Sequence, residues 1–189
     1  DHNVSVYYFN QEKINKSDNL DKKTEHEKNI ELIINALATS DTFSDFHLLI
    51  AGNGIGNKYH DKLISLIQSK KLEGRVHFLG FRNDIANLIS ISDALIHPSF
   101  SESFGFAALE AMAQEKSLII SNIPSFHEIA TDEIAYFFDP TDINSLSKAI
   151  TLWLHSRDNE IRVKKGKKRF EMLFTFKTMI SEYEKYYEE

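Results

Sequence analysis

Apolar positions along the chain follow two alternating spacings. Short β-branched or aromatic runs at residues 4–9, 46–51, 76–79, 94–97, 118–121 and 135–138 read as strands. Between them apolar residues recur every three or four positions, as at Ile30, Ile33, Ile34 and Leu37, at Leu63, Leu66 and Ile67, and at Ile143, Leu146, Ile150 and Leu154. This spacing predicts helices over about 25–39, 57–70 and 143–154. Asn83 or Asp84 is positioned to cap a short helix through Ile91, and residues 158–189 read as two helical pieces joined near Thr175. Residues 10–27 show no apolar period and read as a solvated polar insertion.

Strands that alternate with helices from end to end predict an α/β fold: a Rossmann-like parallel sheet with helices on both faces, built as one domain over 1–189. In such sheets ligands bind beyond the carboxyl ends of the strands, where the chain turns into a helix. The rule selects three turns, residues 52–54, 80–82 and 99–105. Gly52, Asn53 and Gly54 are turn formers first, with close approach to a ligand as a second use.

Composition narrows the chemistry. The 42% apolar and 26% charged fractions of these 189 residues fit an ordinary globular domain. No cysteine is present, which excludes thiolate metal sites and cysteine nucleophiles. The eight histidines show no metal-ligand spacing, so no metal and no cofactor is expected. A net charge of -6 argues against a dedicated nucleic-acid binder. No apolar run is of membrane-spanning length, and no signal peptide opens the chain. A cytoplasmic location is therefore expected, with membrane contact at most peripheral at the inner face. The start at Asp1, with a strand-like run from Val4, reads as one half of a longer protein.

The most informative stretch is residues 97–113, HPSFSESFGFAALEAMA. An apolar strand ends at Pro98, and after a polar loop with Gly105 a helix-forming segment begins. Glu102 stands before that helix and Glu110 about two turns into it. The first amides of the helix, expected on Phe104, Gly105 and Phe106, lack intrahelical partners and form an anion cradle favoured by the helix dipole. Carboxylates beside an anion cradle suit a sugar joined to a phosphate.

The order of a Gly-x-Gly turn, a Phe-Leu-Gly turn, Pro98-Ser-x-x-Glu102-x-Phe-Gly-x-x-x-Leu-Glu110-Ala-Met-Ala, and then Ser121 and Glu128 resembles the carboxyl-terminal domain of family 4 glycosyltransferases. Phe174-Thr-Phe176 resembles the aromatic pair before that domain's last helix. The resemblance implies one half of a GT-B enzyme that is retaining and metal-independent. This half would bind a nucleoside-diphosphate sugar, and an amino-terminal domain absent from the chain would hold the acceptor. It further implies that Glu102 faces the transferred sugar and that Glu110 binds the ribose. The segment Ser103, Phe104, Gly105 and Phe106 would bind the diphosphate, Phe81 and Arg82 would contact the base, and Gly52 and Asn53 would border the donor. The expected activity is hexosyl transfer in cell-surface glycan synthesis, onto a glycan, lipid-linked glycan or protein acceptor.

Three departures from that pattern stand out. The Arg-then-Lys pair expected near the first strand is represented only by Lys28, which equally reads as a solvated helix lysine; Arg82 or an insertion lysine would have to supply the second cation. Ser103 stands where Gly is common. Residues 114–117 replace a Gly-and-Pro helix end, at a cost of about 1 kcal/mol if a non-glycine residue turns left-handed there. A degenerate domain acting as a partner or scaffold, and an epimerase of the same architecture, are the rival readings. His97 reads as a structural histidine as readily as a site residue. The basic run at 164–169 reads first as a solvated helix face and second as a contact for anionic lipid, and Tyr183, Tyr186 and Tyr187 as packing on the missing half.

Overall fold

The computed structural model describes residues 4–10, 28–52, 56, 58–178, 180 and 184, the first stretch by its backbone. Six strands form one wholly parallel sheet: β1 (Val4–Asn10), β2 (Phe46–Gly52), β3 (Val76–Gly80), β4 (Ala94–His97), β5 (Ser117–Ser121) and β6 (Ala135–Phe138). Their spatial order is β3-β2-β1-β4-β5-β6. Chain order reverses between β1 and β4, where Val6 pairs with Ala94 and Tyr7 with Leu95. This is the doubly wound arrangement, and its crevice lies beyond the ends of β1 and β4.

Among the described residues a 3-10 turn (Asp41–Phe43) and seven α-helices accompany the sheet: α1 (Ile30–Leu37), α2 (Lys58–Ser69), α3 (Ile85–Ile91), α4 (Phe106–Ala113), α5 (Pro124–Ile129), α6 (Ile143–His155) and α7 (Asn159–Leu173). One face of the sheet is covered by α1, α2 and α6, where Ile33, Ile34, Leu48, Ile119, Leu146 and Ile150 are fully buried. The other face is covered by α3, α4 and α5, with Leu95, Ala108, Met112, Ile120 and Phe126 at its centre. The near-continuous burial of β4 and β5 is what helices on both faces require.

Three expectations are corrected. The helix predicted over 25–39 is broken near its start: Lys28 is helical, Asn29 turns left-handed at φ 54, and α1 runs on from Ile30 to Leu37, while residues 25–27 lie outside those described. Asp84 occupies the cap position of α3 without donating a cap, since its carboxylate is held by Arg82. The six-residue α5 had no counterpart in the predicted elements. Pro124 at its first position, where a missing N–H costs nothing, starts it after the extended Ile123.

The tail matches its reading up to Thr175. There α7 has ended, and Thr175 Oγ1 accepts from Thr178 N at 3.2 Å to start a further turn. Residues 11–27, Asn53, Tyr183, Tyr186 and Tyr187 lie outside the described residues.

The basic run is not simply a solvated face. Arg169 donates to the carbonyls of Ile129 (2.7 Å) and Glu128 (2.9 Å), Lys167 to the carbonyl of Ala113, and Arg162 to that of Asp132. Cations of α7 thus close the carboxyl ends of α4 and α5, where unpaired carbonyls gather negative potential. Gly166 lets α7 sit close, since a Cβ there would stand 3.2 Å from Ile134.

Candidate functional site

Beyond the carboxyl end of β4 the chain reaches Glu102, and the β1–α1 connection brings Lys28 to it from the other side of the crevice. Lys28 Nζ stands 3.2 Å from Glu102 Oε2, and His97 Nε2, at the last residue of β4, stands 3.2 Å from the same oxygen. Lys28 is 8% exposed, so the solvated-lysine reading is set aside. Its position is fixed from the next residue. Asn29 Nδ2 donates to the carbonyls of Pro98 (3.2 Å) and Pro140 (2.8 Å), tying α1 to the loops after β4 and β6.

His97 is buried between neighbours that fix it. Its ring packs on Phe126 of α5 at 5.0 Å, and its carbonyl accepts from the buried Ser121 Oγ at 3.2 Å. Burial pushes its pKa below the ordinary value; the adjacent Glu102 opposes this and Lys28 reinforces it. Partial burial would raise Glu102, but His97 and Lys28 outweigh it and hold the carboxyl at about 2. Glu102 is therefore an anion at neutral pH, hydrogen-bonded by Lys28 and approached by His97.

The anion cradle begins one residue later than expected. Gly105 caps α4 in a left-handed conformation (φ 77), and its carbonyl accepts from Ala108 N and Leu109 N. The amides of Gly105, Phe106 and Ala107 thus form the open end, with that of Phe104 just ahead of the cap. Glycine is required at 105. A Cβ there would stand 2.7 Å from Ile129 Cδ1 and 2.9 Å from Phe126 Cε1, besides carrying a strained φ. The aromatic ring that packs on His97 is thus one of two side chains that hold residue 105 to glycine at the start of α4.

Phe104 and Phe106 contribute little of their side chains to the core. They are 47% and 68% exposed, with ring centroids 5.0 Å apart. With Phe170, Phe174, Phe176 and Glu110 they border an apolar groove of about 570 Å³. Glu110 is exposed at the groove's rim, and partial burial raises its pKa above the usual carboxylate value. Among the described residues it has no ion-pair partner, which leaves its lone pairs for an incoming hydroxyl donor.

The remaining site residues are placed less closely. Ser103 is exposed, and it is not among the described non-glycine residues with positive φ, which are Asn29, Lys71 and Glu115. A serine is therefore unstrained where Gly is common. Gly52 ends β2 at φ 149, while Asn53 is outside the described residues. Phe81 is exposed after Gly80 (φ 67), and Arg82 forms a two-point pair with Asp84 at 2.8 and 2.6 Å. No group of three side chains able to hold a metal occurs among the described residues, and no described helix is long and apolar enough to cross a membrane. His97 and Asn29 were not named as site residues from sequence. A polar residue closing an otherwise apolar strand was the one signal for His97.

Known proteins resemble this chain in sequence and fold. The chain is 32% identical over 161 residues to the O-antigen biosynthesis glycosyltransferase WclY of Escherichia coli, which covers 85% of this chain and 43% of that protein. It is 32% identical over 162 residues to the O-antigen chain mannosyltransferase RfbU of Salmonella typhimurium, at 78% and 43% coverage. The chain thus spans less than half the length of these relatives. Among solved structures, Anabaena Alr3699/HepE in complex with UDP and glucose superposes with a TM-score of 0.83 over 98% of this chain and 48% of that one, at 21% identity. That likeness is one of fold. Glycosyl transferases group 1 is the family whose pattern matches residues 22–170, a span running from the β1–α1 connection through α4 and α5 into α7, and the chain belongs to it.

Proposed function

We propose that this chain is the donor-binding half of a retaining, metal-independent glycosyltransferase of family 4, and that it takes a nucleoside-diphosphate sugar. The observation that carries the reading is the juxtaposition at the β1/β4 crevice. An anchored carboxylate, Glu102, stands beside the open amide end of α4, with Lys28 in contact with it. Cleaving a sugar–phosphate bond builds positive charge on the sugar and negative charge on the leaving diphosphate. A fixed anion at the sugar and fixed donors at the phosphates stabilise both, and neither has to reorganise.

In this reading the amides of Gly105, Phe106 and Ala107 hold the diphosphate, with Ser103 and Phe104 beside them. Lys28 adds the cation, Glu102 faces the transferred sugar and Glu110 receives the ribose hydroxyls. Phe81 and Arg82 meet the base, and Gly52 and Asn53 border the donor. Two of the relatives act in O-antigen biosynthesis by their names, which supports cell-surface glycan synthesis as the setting. A solved neighbour holding UDP and glucose supports the donor class. The acceptor, whether glycan, lipid-linked glycan or protein, is assigned to an amino-terminal half outside this chain. No cofactor is called for, and the setting is cytoplasmic with at most peripheral membrane contact.

Calorimetry with UDP, GDP and ADP tests the assignment. One of the three binds wild-type protein, and Glu110→Ala weakens that binding; no binding by any of them, or no effect of the substitution, rejects it. A second reading, a non-catalytic partner or scaffold, draws on one observation: Lys28 and Arg82 are both already ion-paired with carboxylates of this chain. Donor hydrolysis by the full-length protein that is lost in Glu102→Ala rejects the scaffold.

A further inference from the structure

Lys28 is asked to do two things. It contacts Glu102 Oε2, and the proposed function, on which this inference rests, gives it a diphosphate. A diphosphate carries more negative charge than one carboxylate, so its arrival draws the ammonium away from Glu102. Something else must then keep that carboxylate in place, because a displacement of even 1 Å at a reacting centre is costly.

His97 meets the requirements. Its Nε2 lies 3.2 Å from the same Oε2, close enough to donate to it although the ring is not aligned for a hydrogen bond while Lys28 holds the carboxylate. The residue is 2% exposed and held by its strand, by Ser121 on its carbonyl and by Phe126 on its ring. A carboxylate only accepts hydrogen bonds, so the imidazole nitrogen facing it must carry a proton. We propose that His97 is a positioning residue: a neutral imidazole protonated at Nε2 that holds Glu102 against the transferred sugar once Lys28 has turned to the diphosphate. Neutrality matters here. A permanent cation at residue 97 would offset the negative charge that Glu102 presents to a sugar becoming positive, whereas a neutral donor orients the carboxylate and leaves its charge intact.

The same placement couples two parts of the site. Phe126 touches the His97 ring and is also what a Cβ at Gly105 would strike, so α5 supports the carboxylate and the amide end of α4 together.

The test has two arms on the full-length protein. Nitrogen-15 NMR of histidine-labelled protein should show His97 neutral and protonated at Nε2 at pH 7, with and without the diphosphate that binds. A charged ring, or a proton on Nδ1 with Nε2 bare, overturns the proposal without any substitution. In the second arm, His97→Leu lowers kcat for donor hydrolysis about ten- to a hundredfold while Kd for the diphosphate stays within about twofold. His97→Gln, whose amide nitrogen reaches the Nε2 position, recovers most of that loss. Equal kcat in wild type and His97→Leu, or an equal loss in both variants, overturns it. Should wild-type protein bind none of UDP, GDP and ADP, the donor assignment fails, and the NMR arm still decides the state of His97.

Discussion

Lys28 and Glu102 lie 74 positions apart in sequence and 3.2 Å apart in the fold. Their side chains are only 10% and 14% exposed, which separates this pair from the surface bridges of the molecule. A surface pair contributes little, whereas breaking a largely buried one strands a charge.

Lys28→Met should therefore destabilise the protein, toward the lower end of the roughly 3–5 kcal/mol seen when one partner of a buried pair is lost, because Glu102 keeps some water and His97. Urea unfolding measures this. Lys28→Met/Glu102→Gln, which removes both charges, should recover part of the loss; a double variant less stable than Lys28→Met would show that the pair is not coupled.

The pH dependence follows from the direction of two shifts. Glu102 sits at about 2 in the folded state against an ordinary 4.5, so its contribution to stability is present above pH 4.5 and is lost as pH falls toward 2. His97 is also lowered, so the unfolded chain takes up its proton near pH 6.5 while the folded state resists, and stability declines from there downward. Unfolding midpoints between pH 8 and 3 should show both slopes. Glu102→Gln should flatten the one below pH 4.5 and keep the one near 6.5.

Gly105→Ala should cost roughly 1–3 kcal/mol, from a left-handed alanine pressed against Phe126 and Ile129. Diphosphate affinity should fall with it, since the amide end of α4 moves. A melting temperature equal to wild type would contradict the geometry at that turn.

Glu115→Gly should act in the opposite sense. The exposed Glu115 is left-handed at φ 54 after α4, where its amide bonds the carbonyl of Met112 and that of Lys116 bonds the carbonyl of Ala111. Glycine there removes about 1 kcal/mol of strain and should raise the melting temperature without changing diphosphate affinity.

Much of this was legible in the sequence, for stated reasons. Strand and helix order followed from spacing, and the Glu102–Glu110 segment from a strand, a polar loop and a strong helix former. The left-handed end at Glu115 followed from the missing glycine. Part of what escaped depended on contacts between distant residues, and part on a choice between two local uses of one side chain. Nothing local says that Asn29 leaves the helical region, because its side chain is stabilised by carbonyls of Pro98 and Pro140. Nor does spacing reveal that Asp84 holds Arg82 instead of capping α3, since both uses suit the same carboxylate. Phe104 and Phe106 look like core in an apolar helix start, yet the side chains that fill the core below them are Ala107, Ala108 and Leu109.

The cations of α7 give the molecule an uneven economy of charge. A chain of net charge -6 turns Lys167 and Arg169 of one helix inward, onto the backbone ends of α4 and α5, and Arg162 onto the carbonyls of Asp132 and Ala135 at the start of β6. Each short helix is therefore gripped at its tail. The head of α4, which faces the crevice, is left as its open end, so the negative pole of α4 is met within the fold while its positive pole stays available to an anion.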